Sequence, residues 1–196
     1  KHIILFALCF LSMLSLHAQI EEREDDLEDV SDAFQTNYFE ALKEKAIENY
    51  DKAIILLVEC RELEPKNAAV HFELGKNYFE LDKYDLAETS LLKAEELRPN
   101  DQWILDELFK VYNAQKNKTK VIETLIRLSE FHPKYKESLI SFYFSEGEHK
   151  KAIELITELD RETGVSKHRE RLRHQIYRNG RLYDEQIAYI ENKISQ

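Results

Sequence analysis

Residues 68–101 read AAVHFELGKNYFELDKYDLAETSLLKAEELRPND, and the spacing of small and large apolar side chains within them decides the fold. Leu74, Gly75 and Tyr78 fall on one segment of helical periodicity, and Tyr84, Ala87, Leu91 and Ala94 fall on a second. Pro99 stops the second segment, because it lacks an amide hydrogen and pushes Arg98 out of the helical region; Asn100-Asp101 then offers caps for the next helix. Pro65, Pro99 and Pro133 stand 34 residues apart twice over, so the two-helix unit recurs. Such a hairpin can bury its apolar face only against its neighbours, which predicts an all-α stack of hairpins.

Gly75 and Ala87 are expected to face each other where the two helices approach most closely and no larger side chain fits. The preceding unit, 34–67, keeps Ala41, Tyr50, Ala53, Leu57, Cys60 and Pro65 in register but carries Glu40 and Glu44 on its first helix. No repeat precedes it, so those carboxylates are read as facing outward. Cys60 stands in the slot of Ala94 and is read as a small buried packing residue. In the third unit, 102–135, Val121 replaces the small second-helix residue, which predicts a slightly splayed hairpin. The fourth, 136–164, has an internal turn, Glu146-Gly147-Glu148-His149, read as about three residues shorter than the others, and Gly164 as its C-terminal cap. A fifth pair, 165–196, departs most from the pattern: an Arg-rich helix, a turn at Asn179-Gly180, and a short helix with Ile187, Ile190 and Ile194 on one stripe.

In these positions the chain resembles the tetratricopeptide repeat family, strongly over 34–133 and weakly over 134–196. The resemblance implies a right-handed superhelical solenoid of about five hairpins whose first helices line a concave groove. Carried over by position, the groove residues are Tyr38, Leu42, Phe72, Lys76, Phe79, Trp103, Asp106, Lys110, Asn113, Ile140 and Phe144. Rigid aromatic faces with interspersed polar groups suit a protein or peptide partner, although each ring taken alone could equally pack as core between hairpins. The clamp by which some members grip chaperone C-termini is missing: its positions hold Tyr38, Leu42, Glu73, Trp103 and Glu107, and the carboxylates are expected to repel such a ligand.

The first stretch is unlike the rest. A basic end, an apolar run over residues 3–16 and a small residue at Ala18 read as a secretory signal peptide over 1–18, the run being shorter than the roughly 20 residues that span a bilayer. An uncleaved anchor is the alternative. Residues 19–33 form an acidic lead-in, with Glu21, Glu22, Glu24, Asp25, Asp26, Glu28, Asp29 and Asp32 against Arg23, and Leu27, Val30 and Phe34 at helical spacing. Cleavage would leave Cys60 as the one cysteine, so no intrachain disulfide forms.

A net charge of −10 argues against nucleic acid or anionic lipid as the main partner. The basic stretch from Lys167 to Arg181 has three readings: a solvated capping face, a dock for an acidic partner, or a phospholipid contact. The acidic lead-in could also pair with it on another copy. No Gly-rich phosphate loop, H-E-x-x-H or paired Cys motif occurs, and His168 and His174 do not share a helical face, so neither enzyme, metal nor cofactor is expected. The sequence reads as an exported, non-catalytic scaffold for a protein or peptide. A regulatory or accessory segment of a larger envelope or signalling assembly, with its active part elsewhere, is the second reading, and a hydrolase with an unrecognised site a distant third.

Overall fold

A computed structural model describes residues 31–195. The expected signal peptide and most of the acidic lead-in lie outside the described residues. The chain divides into two compact units, Lys1–Arg98 and Pro99–Gln196. In the first, α1 (31–46) and α2 (Tyr50–Leu63) form one hairpin and α3 (Ala68–Glu80) and α4 (Tyr84–Leu97) the next. In the second, α5 (Gln102–Ala114) pairs with α6 (Lys118–Ser129), α7 (Pro133–Ser145) with α8 (His149–Thr163), and α9 (Lys167–Gly180) with α10 (Tyr183–Ile194). Within each unit every helix packs on the next, so the chain is an all-α array of ten helices in five hairpins among the described residues.

The first helix of most hairpins starts on the cap its sequence offers. Asn67 accepts the amide of Ala69 at 3.0 Å, Asp101 that of Trp103 at 2.9 Å, and Ser166 that of Arg169 at 3.1 Å. The five hairpin turns share a backbone device that residue identity hides. Glu48, Asp82, Lys116, Gly147 and Arg181 all have positive φ, between 53° and 78°, and the register of 34 residues separates all but Lys116 and Gly147. Only one is glycine. The other four side chains bear the cost of the left-handed region, about 1 kcal/mol or more each.

Gly75 is where two helices come closest. A Cβ there would lie 2.5 Å from Leu91 Cγ and 3.3 Å from the Ala87 carbonyl oxygen, as the paired small residues imply. The α5/α6 and α7/α8 hairpins approach less closely than α3/α4. Val121 accounts for part of the opening, since it is buried. The larger cause is that Phe109 and Ile140 hold the register position of Gly75, each seven residues before the left-handed residue of its turn.

Three features differ from the sequence reading. The shortening of the fourth unit does not lie in its internal turn: α6 has 12 residues where α2 and α4 have 14, and Pro133 stands at the first position of α7, not two residues past a helix end as Pro65 and Pro99 do. Glu44 does not face outward. It is buried, takes hydrogen bonds from Lys52 and from Asn49 at 2.7 Å, and thereby closes the α1/α2 turn. The Lys52 hydrogen bond holds its carboxyl below the ordinary range. The Arg-rich helix α9 is not simply a solvated face either, because Arg169 and Arg173 are buried against α8. Asp160 accepts Arg169 Nε at 2.6 Å and an Arg173 terminal nitrogen at 2.8 Å, and Thr157, Thr163 and the Gly164 carbonyl take further guanidinium hydrogens. Two guanidinium forks thus fasten the last hairpin to the one before it.

Candidate partner-binding surface

The first helices carry the candidate residues, and each unit is described by itself. In the first unit Tyr38 and Leu42 lie on α1, and Phe72, Lys76 and Phe79 on α3; all five are half-buried. Tyr38 stacks on Phe34 with ring centroids 5.7 Å apart, and burial, with Glu73 nearby, raises its phenol above the ordinary value. Lys76 Nζ stands 5.0 Å over the Phe72 ring, a cation–π contact that holds the ring's face toward a positive charge. Phe79 leans on Tyr84 at 5.6 Å across its own hairpin turn, so much of that ring is spent inside the repeat.

Glu73, read from sequence as a repelling carboxylate, is neutralised. It is buried between Lys45 at 2.6 Å and Lys76 at 3.2 Å, leaving this cluster of three with one net positive charge. Electrostatics therefore do not turn a carboxylate ligand away from this face. No signal in the sequence placed Lys45, 28 residues earlier, beside Glu73.

In the second unit Trp103, Asp106, Lys110 and Asn113 recur at helical spacing along one side of α5. Trp103 is 70% exposed, which for the chain's one tryptophan is a large apolar area left in water. Its position follows from the Asp101 cap, which fixes the first turn of α5 and sets the ring on the outside of it. Asp106 accepts the Tyr135 hydroxyl at 2.7 Å, and Gln102 donates to the same hydroxyl at 3.2 Å, so α7 holds this end of α5 in place. Lys110 pairs with Glu107 at 2.8 Å, and Asn113 is exposed.

Ile140 is a correction. It is 1% exposed and packs with Ala152, Ile156, Leu159 and Ile176, because the repeat shortens to 31 residues between Lys116 and Gly147 and Ile140 therefore stands at the position of Gly75, where α7 meets α8 of its own hairpin. Phe144 is packed against the same cluster and edge-on to His149 at 5.8 Å. The surface that α7 does present lies beside Ile140: Lys134, Ser138 and Ser141 line a cleft against His168 and Leu172 of α9, with the Glu137–Arg169 pair, 3.1 Å apart, at its wall. Tyr135, Lys134 and this cleft were not foreseen. The missed signal is the register: with 31 residues between Lys116 and Gly147, Lys134, Glu137 and Ser141 hold the places on α7 that Trp103, Asp106 and Lys110 hold on α5.

Cys60 is buried, donates weakly to the Phe34 carbonyl at 3.7 Å, and has its thiol pushed up by burial to about 11. It packs and is not a nucleophile. Among the described residues no group of three or more His, Cys, Asp or Glu could hold a metal ion, and no helix is long and apolar enough to cross a membrane.

Solved structures similar to the chain include MamA, at 22% identity and a TM-score of 0.62, covering 81% of this chain and 88% of that one. MamA 41-end from Desulfovibrio magneticus RS-1 matches at 21% identity and 0.55, covering 67% and 78%. The first tetratricopeptide domain of Spaghetti (RPAP3), bound to the HSP90 peptide SRMEEVD, matches at 18% and 0.51, covering 56% and 89%. At these identities the likeness is one of fold. A search of curated protein sequences returns no significant match. Two families match the sequence itself: the tetratricopeptide repeat over residues 68–101, and vacuolar sorting protein 39 domain 1 over residues 87–191, more than half of the chain. Tetratricopeptide arrays are non-catalytic scaffolds for protein or peptide partners, and the five hairpins have that architecture. The fold is an array of tetratricopeptide-like helical hairpins, and by the extent of the second match the chain belongs to the family of vacuolar sorting protein 39 domain 1.

Proposed function

We propose that the chain is an exported adaptor that holds a protein or an extended peptide on its first-helix faces in the cell envelope. The observation that carries this reading is Trp103, a 70% exposed indole fixed by the Asp101 cap on the same side of α5 as Asp106, Lys110 and Asn113. An indole in water gains most when a partner covers it, and a rigid anchor with polar neighbours supplies both affinity and register. The first unit offers a smaller version in Phe72 with Lys76 above it. Peptide occupancy of this fold is supported by the HSP90 peptide bound to the Spaghetti domain, and the neutralised Glu73 leaves room for an acidic ligand here as well. Export rests on the basic end, apolar run and small boundary residue of 1–18.

The test is a photo-crosslinking residue placed in the native cell at Phe72, at Trp103, and at Ile55, which is exposed on the outer helix α2. The same partner is expected from the first two positions and none from the third. Equal capture at Ile55, or no capture at either aromatic position, refutes the reading. Phe72→Ala separates the two roles left open by the sequence: lost capture with helicity retained marks a contact, and loss of both marks core.

A further inference from the structure

The last hairpin leaves a surface that the peptide-binding faces do not use. Tyr183, Ile187, Ile190 and Ile194 follow one another at i, i+4, i+7 and i+11 on α10, and all four are exposed, Ile187 at 54% and Ile194 at 80%. The residues that tie α10 to α9 are others: Tyr189 at 4.6 Å from the Arg173 guanidinium, Gln186 at 3.3 Å from His174, and Lys193 on Glu170. The isoleucine stripe lies about 100° round the helix from that side. Among the described residues, α10 therefore meets its neighbour through Gln186, Tyr189 and Lys193 and leaves the stripe of Tyr183, Ile187, Ile190 and Ile194 exposed. Four large apolar side chains in one line exceed the scattered singles of an ordinary surface.

Beside this stripe, α9 and the turn after it present exposed Lys167, Arg171, Arg178 and Arg181, none of them in an ion pair with a described residue. The arginines that sequence alone could not tell from these, Arg169 and Arg173, are buried and ion-paired, Arg169 with Asp160 and Glu137 and Arg173 with Asp160. The carboxylates nearby on α10 are Asp184, Glu185 and Glu191, of which Glu185 faces Lys150 at 3.7 Å. An apolar line beside four uncompensated cations, in a chain of net charge −10, calls for a cover that is apolar on one stripe and acidic elsewhere.

The same chain contains such a segment. Residues 20–33, IEEREDDLEDVSDA, carry eight carboxylates against Arg23 and place Leu27 and Val30 in helical register with Phe34, a half-buried residue of α1 packed against the core. We propose that residues 20–33 of one copy cover the α9/α10 end of a second copy, with Leu27 and Val30 on the isoleucine stripe and the carboxylates toward Arg171, Arg178 and Arg181. The joined surfaces are unlike, so the contact is head-to-tail, and copies add in series unless the rotation closes a ring.

The test is sedimentation velocity of the protein purified as the cell makes it, over a range of concentrations at low and at high salt. Association that grows with concentration and weakens by about tenfold as salt screens the charges is expected. Arg171→Glu with Arg178→Glu should abolish it while leaving helicity unchanged, since both side chains are exposed. Adding Glu24→Lys and Asp25→Lys to that variant should restore it, a rescue that a merely unfolded end could not show. Ile187→Ser with Ile190→Ser should weaken association at every salt concentration. A monomer under all conditions, or association indifferent to both pairs of changes, overturns the proposal. So does a protein that sediments as a monomer yet floats with phosphatidylglycerol vesicles in a manner lost on charge reversal, because the cationic face then belongs to lipid.

Discussion

Gly75→Ala should destabilise the first unit even though alanine is the better helix former. In a helix interior the replacement gains about 1 kcal/mol. Against that, the new methyl would sit 2.5 Å from Leu91 Cγ and 2.8 Å from Cδ2, both well inside contact distance. Leu91 has no exposed surface to retreat into, and the clash is with its branch carbon, not with the end of a flexible chain. Overpacking of this kind costs about 1–3 kcal/mol, and the tightness of the contact favours the upper half of that range, so the net loss is about 1–2 kcal/mol. The cycle with Leu91→Ala makes the reasoning sharp. Leu91→Ala alone should cost about 2–5 kcal/mol through the cavity it leaves. In that background Gly75→Ala no longer meets a side chain and should stabilise by up to about 1 kcal/mol, a reversal of sign and a coupling of about 2–3 kcal/mol. Urea unfolding followed by circular dichroism, with Cys60 labelling as a reporter of the first unit, measures all four corners. Additive effects, or a neutral Gly75→Ala in the native background, would show that the hairpin crossing is not set by this contact.

The shared turn geometry predicts that Lys116→Gly stabilises by about 0.5–1 kcal/mol and Gly147→Ala destabilises by about 1 kcal/mol, both read as shifts in thermal midpoint. Asp160→Ala removes the carboxylate between two buried guanidinium groups and should cost the second unit about 3–5 kcal/mol, seen in the same denaturant titration; no loss would mean that the threonines and Glu137 suffice. Glu44, Glu158 and Glu170 are held below the ordinary carboxylate range by hydrogen bonds from Lys52, Lys136 and Lys193. Because their folded values are depressed, the stability they contribute is complete above the unfolded carboxylate value of about 4.3 and is lost as pH falls through the lowered values. Stability measured from neutral to acid pH should therefore decline only below that point, and less so in Glu44→Gln. The Cys60 thiol, raised to about 11 and buried, should resist thiol reagents at pH 8 until the first unit opens.

Architecture was legible because it depends on spacing. Small residues at Ala53, Gly75, Ala87 and Ala94, with a proline every 34 residues, specify the hairpins whatever the surface side chains are. Three kinds of information were not carried in that pattern. Left-handed residues recur at each hairpin turn but are written as Glu, Asp, Lys, Gly and Arg, so only backbone geometry reveals them. Charged residues read as facing outward or toward a ligand, such as Glu44, Glu73, Arg169 and Arg173, are buried beside a partner of opposite charge many positions away, and helical spacing says nothing about such pairs. Of the candidate surface, Trp103 stands exposed, whereas Ile140 is buried because it was placed by a 34-residue register that shortens to 31 before Gly147, a change that the prolines alone do not reveal.

Trp103 is the one tryptophan in the chain, which makes its own fluorescence the most direct probe of the central claim. Acrylamide should quench it in the isolated protein almost as readily as it quenches free indole, and addition of the partner captured by crosslinking should protect it. An indole already shielded in the isolated protein, or one whose quenching the partner leaves unchanged, contradicts the assignment of this face as the binding surface.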